Sequence, residues 1–265
     1  MSPQSKPIPR PQGRDTLGWR KVFACFGPST NTIVEPEFAA MRPAGVTNQY
    51  RDIYIENAKA LSNESFMAGM DVLQAAVDAA IRSAMTAEPD YYVMGVSAVS
   101  FIGGAKACHA QLKHLRELAG KDFSVGPISC VEAMKAYGGI RRIAVISPYY
   151  PVANQHVKNF FSDYGVETVR DLPLQCTSWT NISRVTEPQI AAALKQLDGD
   201  DIDAIVQVGT NLSMARMAPF AEHFLDKPVI AINTATYWHA LRTNGIMDGV
   251  EGFGPLLQHL DLKRD

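Results

Sequence analysis

Two kinds of hydrophobic pattern alternate along this chain. Short, nearly continuous apolar runs have the length and the valine, isoleucine and aromatic content of buried strands. Longer segments, in which apolar residues recur every three or four positions, are typical of amphipathic helices. We predict strands at residues 21–27, 90–95, 141–148, 203–209 and 227–233, and helices at 64–85, 105–120, 152–165, 187–199, 217–226 and 236–245.

The alternation of these strands with helices indicates the fold class. Strands that are apolar along their whole length are typical of sheets covered on both faces. Helices between them supply the crossovers that parallel strands need. The sequence therefore predicts an α/β protein with parallel sheets, in which Ser62 is the candidate cap of the helix at 64–85 and Gly120 ends the helix at 105–120.

The two halves of the chain resemble each other. A basic pair, an apolar strand and a proline-containing turn occur in RKVFACFGPST (20–30) and again in RRIAVISPYY (141–150). An aspartate, a strand, a glycine and polar residues occur in DYYVMGVS (90–97) and again in DAIVQVGTN (203–211). Weak self-similarity of this kind indicates duplicated α/β units, and chance matching between buried strands is the alternative interpretation.

Length, composition and charge restrict the class of protein. The 265 residues are 46% hydrophobic, enough for one large domain or two small ones, and the net charge is −2. No basic stripe suggests a nucleic-acid partner, no polybasic cluster suggests a membrane surface, and no apolar run reaches the roughly 20 residues of a spanning helix. The proline-rich start lacks the apolar segment of a signal peptide, so we expect an N-terminal arm at 1–19 and a cytoplasmic location.

Small and hydroxyl-bearing residues follow four of the predicted strands. These strand ends are GPSTN (27–31), GVSAVS (95–100), SPYY (147–150) and GTNLS (209–213). Ligands of open parallel sheets bind beyond the carboxyl ends of the strands, and backbone N–H groups at helix starts attract anions. Two facing units would bring the four ends together, so the predicted ligand is a small anion, most simply a carboxylate or dicarboxylate.

The cysteines and histidines form no recognisable site. Four cysteines are present without a CxxC pair, and the six histidines form no HxH or HExxH pattern. We expect reduced, mostly buried thiols and no metal site.

The polar strand ends also carry a resemblance to a known family. GPSTNTIVEPE (27–37) resembles the N-terminal signature of maleate cis–trans isomerases, and MGVSAVSFIGG (94–104) resembles the corresponding loop of those enzymes and of arylmalonate decarboxylase. GTNLSMARM (209–217) and KPVIAINTATYWHALRTNGI (227–246) resemble the C-terminal half of the same group. From about residue 20 to residue 250 the chain is therefore similar to the aspartate/glutamate racemase superfamily.

The resemblance implies two Rossmann-like, parallel-sheet domains related by pseudo-two-fold symmetry, with the active site in the cleft between them. It suggests an N-terminal domain at 20–128, completed by 235–265, and a C-terminal domain at 129–234. It also implies chemistry without a cofactor or a metal. Dimers are common in the superfamily, so a homo-oligomer is expected.

The resemblance also locates two missing thiols. Racemases and isomerases of the superfamily carry one cysteine at each of two symmetric strand ends, and arylmalonate decarboxylase keeps only the second, as a proton donor. Gly95 and Gly209 stand at these positions here. Racemisation by two thiols and covalent addition of a thiolate therefore have no chemical basis in this chain.

Roles for the polar residues follow from the same resemblance. Ser29, Thr30 and Asn31 would hold a substrate carboxylate, with helix capping as the alternative role. Ser97 would help to form an oxyanion pocket, and the alternative is an N-cap. Tyr149 would donate a hydrogen bond to a developing enolate and is a candidate acid, with a half-buried aromatic at the domain seam as the alternative.

The second half of the chain offers further candidates. Thr210 and Asn211 mirror the loop of Ser97 and would hold a second carboxylate or a carbonyl, or else act as caps. His239 is a candidate proton carrier, although a lone helix histidine is more often structural. The expected substrate-binding set is completed by Gly95, Val96, Tyr150 and Gly209.

The expected function is a cofactor-independent enzyme that acts on a small carboxylate through an enolate-like or oxyanion intermediate. A decarboxylase, and hence a lyase, is favoured over an isomerase, because loss of CO₂ needs charge stabilisation but no base. Two alternatives stay open. A hydrolase or hydratase would use the same pocket with an activated water, and a non-catalytic carboxylate-binding protein would account for the missing cysteines.

Overall fold

The computed structural model describes residues 15–57, 59 and 61–263, so most of the expected N-terminal arm lies outside the described residues. The described chain forms two four-stranded sheets in which all the paired strands are parallel. This confirms the predicted α/β class. Within the same ranges, no helix combines the length and the apolar character needed to cross a membrane.

The first sheet consists of β1 (Lys21–Pro28), β2 (Val46–Ile53), β3 (Tyr91–Met94) and β4 (Phe123–Val125). Its strand order is β2-β1-β3-β4. The central strands β1 and β3 are the apolar runs that the sequence predicts. The edge strand β2, VTNQYRDI, is mostly polar and half-buried.

The second sheet repeats this arrangement. Its strands are β5 (Arg142–Ser147), β6 (Glu167–Pro173), β7 (Ala204–Gln207) and β8 (Val229–Ala231), in the order β6-β5-β7-β8. The order matches that of the first sheet strand for strand, as the internal repeat predicts. The four polar strand ends of the sequence therefore follow the four central strands β1, β3, β5 and β7.

Helices cover the faces of both sheets and connect the strands. Most lie where the helical periodicity places them, whereas the first, third, fifth and last were not predicted. The helices are α1 (Val34–Ala40), α2 (Asn63–Met85), α3 (Ala98–Phe101), α4 (Gly104–Ala119), α5 (Gly126–Ala136), α6 (Pro151–Asp163), α7 (Glu187–Leu197), α8 (Met217–Leu225), α9 (Ile232–Thr243) and α10 (Gly254–Gln258), with a 3₁₀ turn at Ile182–Arg184.

The predicted ends of the two long N-terminal helices are confirmed. Ser62 caps α2 in a capping box, because its Oγ accepts from the N–H of Ser65 at 3.2 Å while Ser65 Oγ accepts from the N–H of Ser62 at 3.0 Å. Gly120 follows α4 with a φ of +64°, a conformation that glycine adopts at little cost.

Helix α9 returns to the first sheet after the last strand of the second. It begins at Ile232, so the strand predicted to run to residue 233 is shorter than expected. It packs against β3, β4 and α5, and the Tyr237 hydroxyl donates to Asn48 Oδ1 of β2 at 2.9 Å. The prediction that the C-terminal segment completes the N-terminal domain fits this packing and stays a prediction about domain boundaries.

Candidate functional site

A cavity lies where the loops that follow β1, β3, β5 and β7 meet. Its volume is about 50 Å³, which is small beside the pockets that hold drug-sized ligands. Its described lining side chains are all uncharged. The polar ones come from all four loops and are Thr30, Asn31, Ser97, Tyr149, Thr210 and Asn211.

Ser97 and Tyr149 connect the two sheets through their hydroxyl groups. Ser97 Oγ, after β3, lies 2.6 Å from Tyr149 Oη, after β5, and both side chains are buried. In such a pair one hydroxyl donates to the other, which leaves a single O–H free to donate to a ligand. Unless a ligand breaks the bond, the pair therefore supplies one donor and not two.

Burial keeps the Tyr149 phenol protonated. Removal from water raises the pKa of Tyr149 well above its usual value, and the hydrogen bond with Ser97 offsets only part of this effect. At neutral pH this group is therefore a hydrogen-bond donor or an acid, and not a base.

The Thr210 hydroxyl is already engaged on both sides. It donates to the carbonyl oxygen of Gly95 at 2.9 Å and accepts from Asn31 Nδ2 at 3.2 Å. A hydroxyl has one proton to donate, so the side chain of Thr210 ties β7 to the ends of β1 and β3. It offers a ligand no donor unless that bond breaks.

The Asn31 and Asn211 side chains hold the loops around the cavity. Asn31 Oδ1 accepts from the N–H groups of Ile33 and Val34, at 2.9 and 3.0 Å, where α1 begins. Asn211 Oδ1 accepts from the N–H of Thr32 at 3.1 Å, and its Nδ2 donates to the carbonyl oxygen of Trp179 at 3.0 Å. Both amides therefore spend most of their capacity on the protein itself.

Backbone N–H groups supply the donors that these side chains lack. Among the described residues, no acceptor engages the N–H of Val96, Ser97, Gly209, Thr210 or Asn211, and all five residues line the cavity. Backbone N–H groups of buried residues are rarely left without a partner. Their presence at the ends of β3 and β7 indicates a place for a ligand or water that accepts hydrogen bonds.

A buried carboxyl group holds the loop after β7 from behind. Glu37 of α1 accepts from Asn233 Nδ2 at 2.7 Å, from Ser213 Oγ at 3.2 Å and from the N–H of Ala215 at 3.3 Å. Asn233 Nδ2 also donates to the carbonyl oxygen of Thr210 at 2.9 Å. Burial raises the pKa of Glu37, and these donors offset part of the rise.

Three predicted binding residues do not line the cavity. The Ser29 hydroxyl donates to the carbonyl oxygen of Ile55 at 3.1 Å and accepts from its N–H at 3.0 Å, so it fastens the end of β1 to the end of β2. Tyr150 is the N-cap residue of α6 and lies against the ring of Phe66. Gly95 contributes its carbonyl oxygen to Thr210 but does not face the cavity.

His239 also lies outside the lining of the cavity. Its Nδ1 is 3.0 Å from Ser129 Oγ, and burial lowers the pKa of His239 to about 4. The imidazole is therefore neutral at physiological pH. The structure does not bring the predicted proton carrier to the other candidate residues.

A side chain at Gly95 or Gly209 would meet the protein itself. A Cβ at Gly95 would lie within 3.0 Å of the carbonyl oxygen of Phe26 and of Val34 Cγ1, and one at Gly209 would lie within 3.0 Å of two ring carbons of Pro148. Gly209 also has a φ of +100°, which residues with a side chain rarely adopt. Glycine at both positions therefore fits the backbone and the packing around it.

An apolar wall, which the sequence analysis missed, faces the polar strand ends. It comes from the loop after β2, from α2, from α3 and from the loop after β6. Its residues are Ile55, Met70, Leu73, Ala98, Trp179 and Ile182. The cavity thus combines hydrogen-bond donors on one side with hydrocarbon on the other, an arrangement typical of sites for small organic ligands.

The four cysteines take no part in the described lining. Cys25, Cys108 and Cys130 are buried and Cys176 is half-buried, and none forms a disulfide. Burial raises the pKa of the Cys176 thiol to about 11 and that of Cys108 to about 12. In the part of the chain that the structure describes, no group of three or more histidine, cysteine, aspartate or glutamate residues is placed to hold a metal ion.

A family model decides which group this architecture belongs to. The model for arylmalonate decarboxylase matches residues 31–257, which include Asn31 of the first strand end around the cavity and the whole of the other three. The chain belongs to the arylmalonate decarboxylase family. This confirms the resemblance carried by the polar strand ends, although no curated protein matches the chain by sequence.

Solved structures of relatives share the fold of this arylmalonate decarboxylase family member. A maleate cis–trans isomerase from Nocardia farcinica, bound to TRIS, has a TM-score of 0.80 at 20% identity, over 90% of this chain and 98% of its own. Maleate isomerase Iso from Pseudomonas putida S16 has a TM-score of 0.81 at 18% identity, over 90% and 98%. An arylmalonate decarboxylase has 0.70 at 18%, over 89% and 98%. The predicted two-domain fold is confirmed.

Proposed function

We propose that this member of the family is a cofactor-independent lyase that decarboxylates a small malonate-type acid. One observation carries the proposal: the cavity collects hydroxyl and unpaired backbone N–H donors, while its described lining contains no thiol and no charged side chain. Such a lining stabilises negative charge that develops on a carboxylate oxygen. It supplies no base that would remove a proton from carbon.

The loss of CO₂ needs only what this lining provides. The bond between the central carbon and one carboxylate breaks, and its electron pair moves towards the remaining carboxylate, which becomes an ene-diolate. CO₂ leaves without any proton transfer. Donors placed where this charge develops contribute about 3 kcal/mol each, and the N–H groups at the ends of β3 and β7 are the proposed donors.

The ene-diolate carbon must then take up a proton. Of the two hydroxyl groups in the Ser97–Tyr149 pair, one stays free to donate. We assign the protonation step to this pair. The proton moves from the phenol to carbon, and water returns a proton to the phenolate, whose high pKa favours rapid recapture.

A covalent isomerase mechanism has less support. One Nocardia farcinica maleate isomerase variant carries a covalently bound succinylcysteine intermediate. No cysteine is among the described residues that line the cavity here, and a side chain at Gly95 or Gly209 would collide with its neighbours. A hydrolase or hydratase would need an acid or base to position water, and Tyr149 is the sole titratable group of the described lining.

A non-catalytic carboxylate-binding protein is the second candidate function, and Gly209 favours this candidate. The steric fit of that glycine accounts for a site that has kept its anion-binding donors without a thiol.

Incubation of the purified protein with malonate and its alkyl-substituted derivatives tests both candidates. We expect release of CO₂ and appearance of the monocarboxylate in ¹³C NMR spectra, and slower formation of the monocarboxylate in Ser97→Ala, which removes the hydrogen-bond partner of the Tyr149 phenol. Ser124→Ala is the matched control, because Ser124 forms a similar buried bond with Tyr91 outside the cavity. Binding of the acids without turnover would favour the second candidate, and no binding of any of them would contradict both.

A further inference from the structure

The Trp179 indole ring packs directly on the backbone of α2. Trp179 lies in the loop between β6 and α7, is buried, and lines the apolar wall of the cavity. Its ring centroid is 5.1 Å from that of Phe66 on the same helix. A Cβ at Gly69 would lie within 3.0 Å of the indole Cζ2. The ring therefore occupies the space that any side chain at residue 69 would need.

Gly69 carries a cost in helix stability. It lies within the 23-residue helix α2, whose neighbouring sequence is rich in alanine and methionine, and glycine is among the least favourable residues in a helix interior. The nearest atoms to its hypothetical Cβ all belong to Trp179. We take this as the reason that the helix has no side chain there.

The Trp179 backbone is tied to the polar side of the cavity. Asn211 Nδ2 donates to the Trp179 carbonyl oxygen at 3.0 Å, and Asn57 Nδ2 donates to Thr180 Oγ1 at 3.2 Å. The first bond comes from the end of β7 and the second from the segment after β2. The ring is therefore held at a fixed depth relative to the unpaired N–H groups.

We propose that Trp179, packed on Gly69, limits the size of the apolar substituent that a carboxylate ligand can bring into the cavity. The inference rests on the proposed function and names its substrate class: acids with a substituent of one to about three carbon atoms, and not an aryl ring. The indole closes the apolar side of a small cavity of about 50 Å³, so a substituent directed at this wall meets the ring. A short alkyl chain needs less of this space than a planar six-membered ring does.

Binding measurements by isothermal titration calorimetry test this size limit. The probes are acetate, butyrate and phenylacetate, with toluene as a ring that lacks a carboxylate. Wild type should bind acetate and butyrate in preference to phenylacetate. Trp179→Ala should raise affinity for phenylacetate relative to acetate by at least about tenfold and should bind toluene, since vacated apolar cavities accept such ligands. Phe224→Ala, which truncates an aromatic side chain that is 81% exposed on α8, should change neither.

Two further variants protect the test against loss of the fold. Trp179→Leu keeps an apolar side chain and should gain phenylacetate binding in part. Gly69→Ala should lower the melting temperature in wild type but raise it in the Trp179→Ala background, where the helix gains a better residue and no ring obstructs it.

The outcomes separate this inference from the proposed function. Toluene binding by Trp179→Ala without binding of any carboxylate by either protein would uphold the size limit and refute the proposed function. Phenylacetate binding by wild type as tight as that of acetate would overturn the size limit. Failure of both Trp179→Ala and Trp179→Leu to gain binding of phenylacetate or toluene would also overturn it. The same would follow if Gly69→Ala changed the melting temperature equally in wild type and in the Trp179→Ala background.

Discussion

Ser97 Oγ and Tyr149 Oη lie 2.6 Å apart, and this single bond joins the end of β3 in one sheet to the end of β5 in the other. It places the one titratable group of the described cavity lining next to unpaired backbone donors. The pair is therefore both a structural link across the seam and the proposed acid of the reaction, and these two roles can be separated by experiment.

Tyr149→Phe should affect both stability and turnover. Loss of the phenolic hydroxyl leaves buried Ser97 without its partner, which costs about 1–3 kcal/mol. If the proposed chemistry holds, kcat should fall about 10²–10⁴-fold, as is typical for the loss of a general acid.

Tyr91→Phe is the control for this change. Tyr91 Oη lies 3.1 Å from Ser124 Oγ in a buried pair outside the cavity. Tyr91→Phe should lower the free energy of unfolding, measured by urea denaturation, by a similar amount and leave kcat near that of wild type. Equal losses of kcat in the two variants would rule out a chemical role for Tyr149.

Gly209→Ala should destabilise the protein more than Gly245→Ala. Both residues have positive φ, and a side chain in such a conformation costs about 1–2 kcal/mol. Only Gly209 adds a collision with Pro148, since nothing lies within 4 Å of a Cβ at Gly245. Overpacking adds about 1–3 kcal/mol. Denaturant midpoints measure the difference, and equal values would show that the Pro148 ring moves aside freely.

Gly209→Cys should fail to create isomerase or racemase activity for the same reason. A thiol at that position either displaces Pro148 and the adjacent Tyr149 or does not fold into place. Maleate isomerisation followed by ¹H NMR is the measurement. A gain of activity with an unchanged melting temperature would contradict the steric interpretation.

His239→Gln should change how stability depends on pH. Burial lowers the pKa of His239 from 6.5 to about 4. The unfolded chain therefore binds a proton between about pH 4 and 6.5 that the folded chain does not, so stability rises with pH across this window and is level above it. The variant should show a flatter profile by urea denaturation. His259→Gln, at an exposed position, should keep the wild-type slope, and a slope unchanged in His239→Gln would refute the assignment.

Glu37→Gln should weaken the seam between α1 and the loop after β7. The carboxyl oxygens accept hydrogen bonds from Ser213, Ala215 and Asn233. An amide nitrogen in place of one oxygen is itself a donor, so it could not accept these hydrogen bonds. We expect a loss of about 1–3 kcal/mol in the free energy of unfolding. Glu35→Gln, exposed in the same turn of α1, should stay within about 0.5 kcal/mol of wild type.

The central strands and long helices could be predicted because their signals are local. Val93 and Val206 lie in continuous apolar runs, and Ser62 and Gly120 end helices through side-chain or backbone properties of their own. Edge strand β2 could not be recognised, since most of its residues are polar and only partly buried, so it has no continuous apolar run. β6 was missed for the same reason, with no fully buried residue along its length.

The polar half of the cavity could be predicted, but the apolar half could not. Thr30, Ser97 and Tyr149 follow strands, and parallel strands end at one edge of their sheet. Trp179 lies in a loop without periodicity, and its place against Gly69 depends on how deeply that loop packs on α2. The sequence could likewise bring Thr210 to the site without showing that its hydroxyl proton is already used.

The two sheets have the same strand order, yet corresponding loops carry different groups. An amide and a hydroxyl follow β1, whereas a phenol follows β5 at the equivalent place. A flat molecule held across the pseudo-two-fold axis would therefore meet unlike neighbours on its two faces. The duplicated fold provides the symmetry, and the different residues of its two halves make the two faces of the site chemically distinct. A site needs this distinction to produce one mirror image of a product.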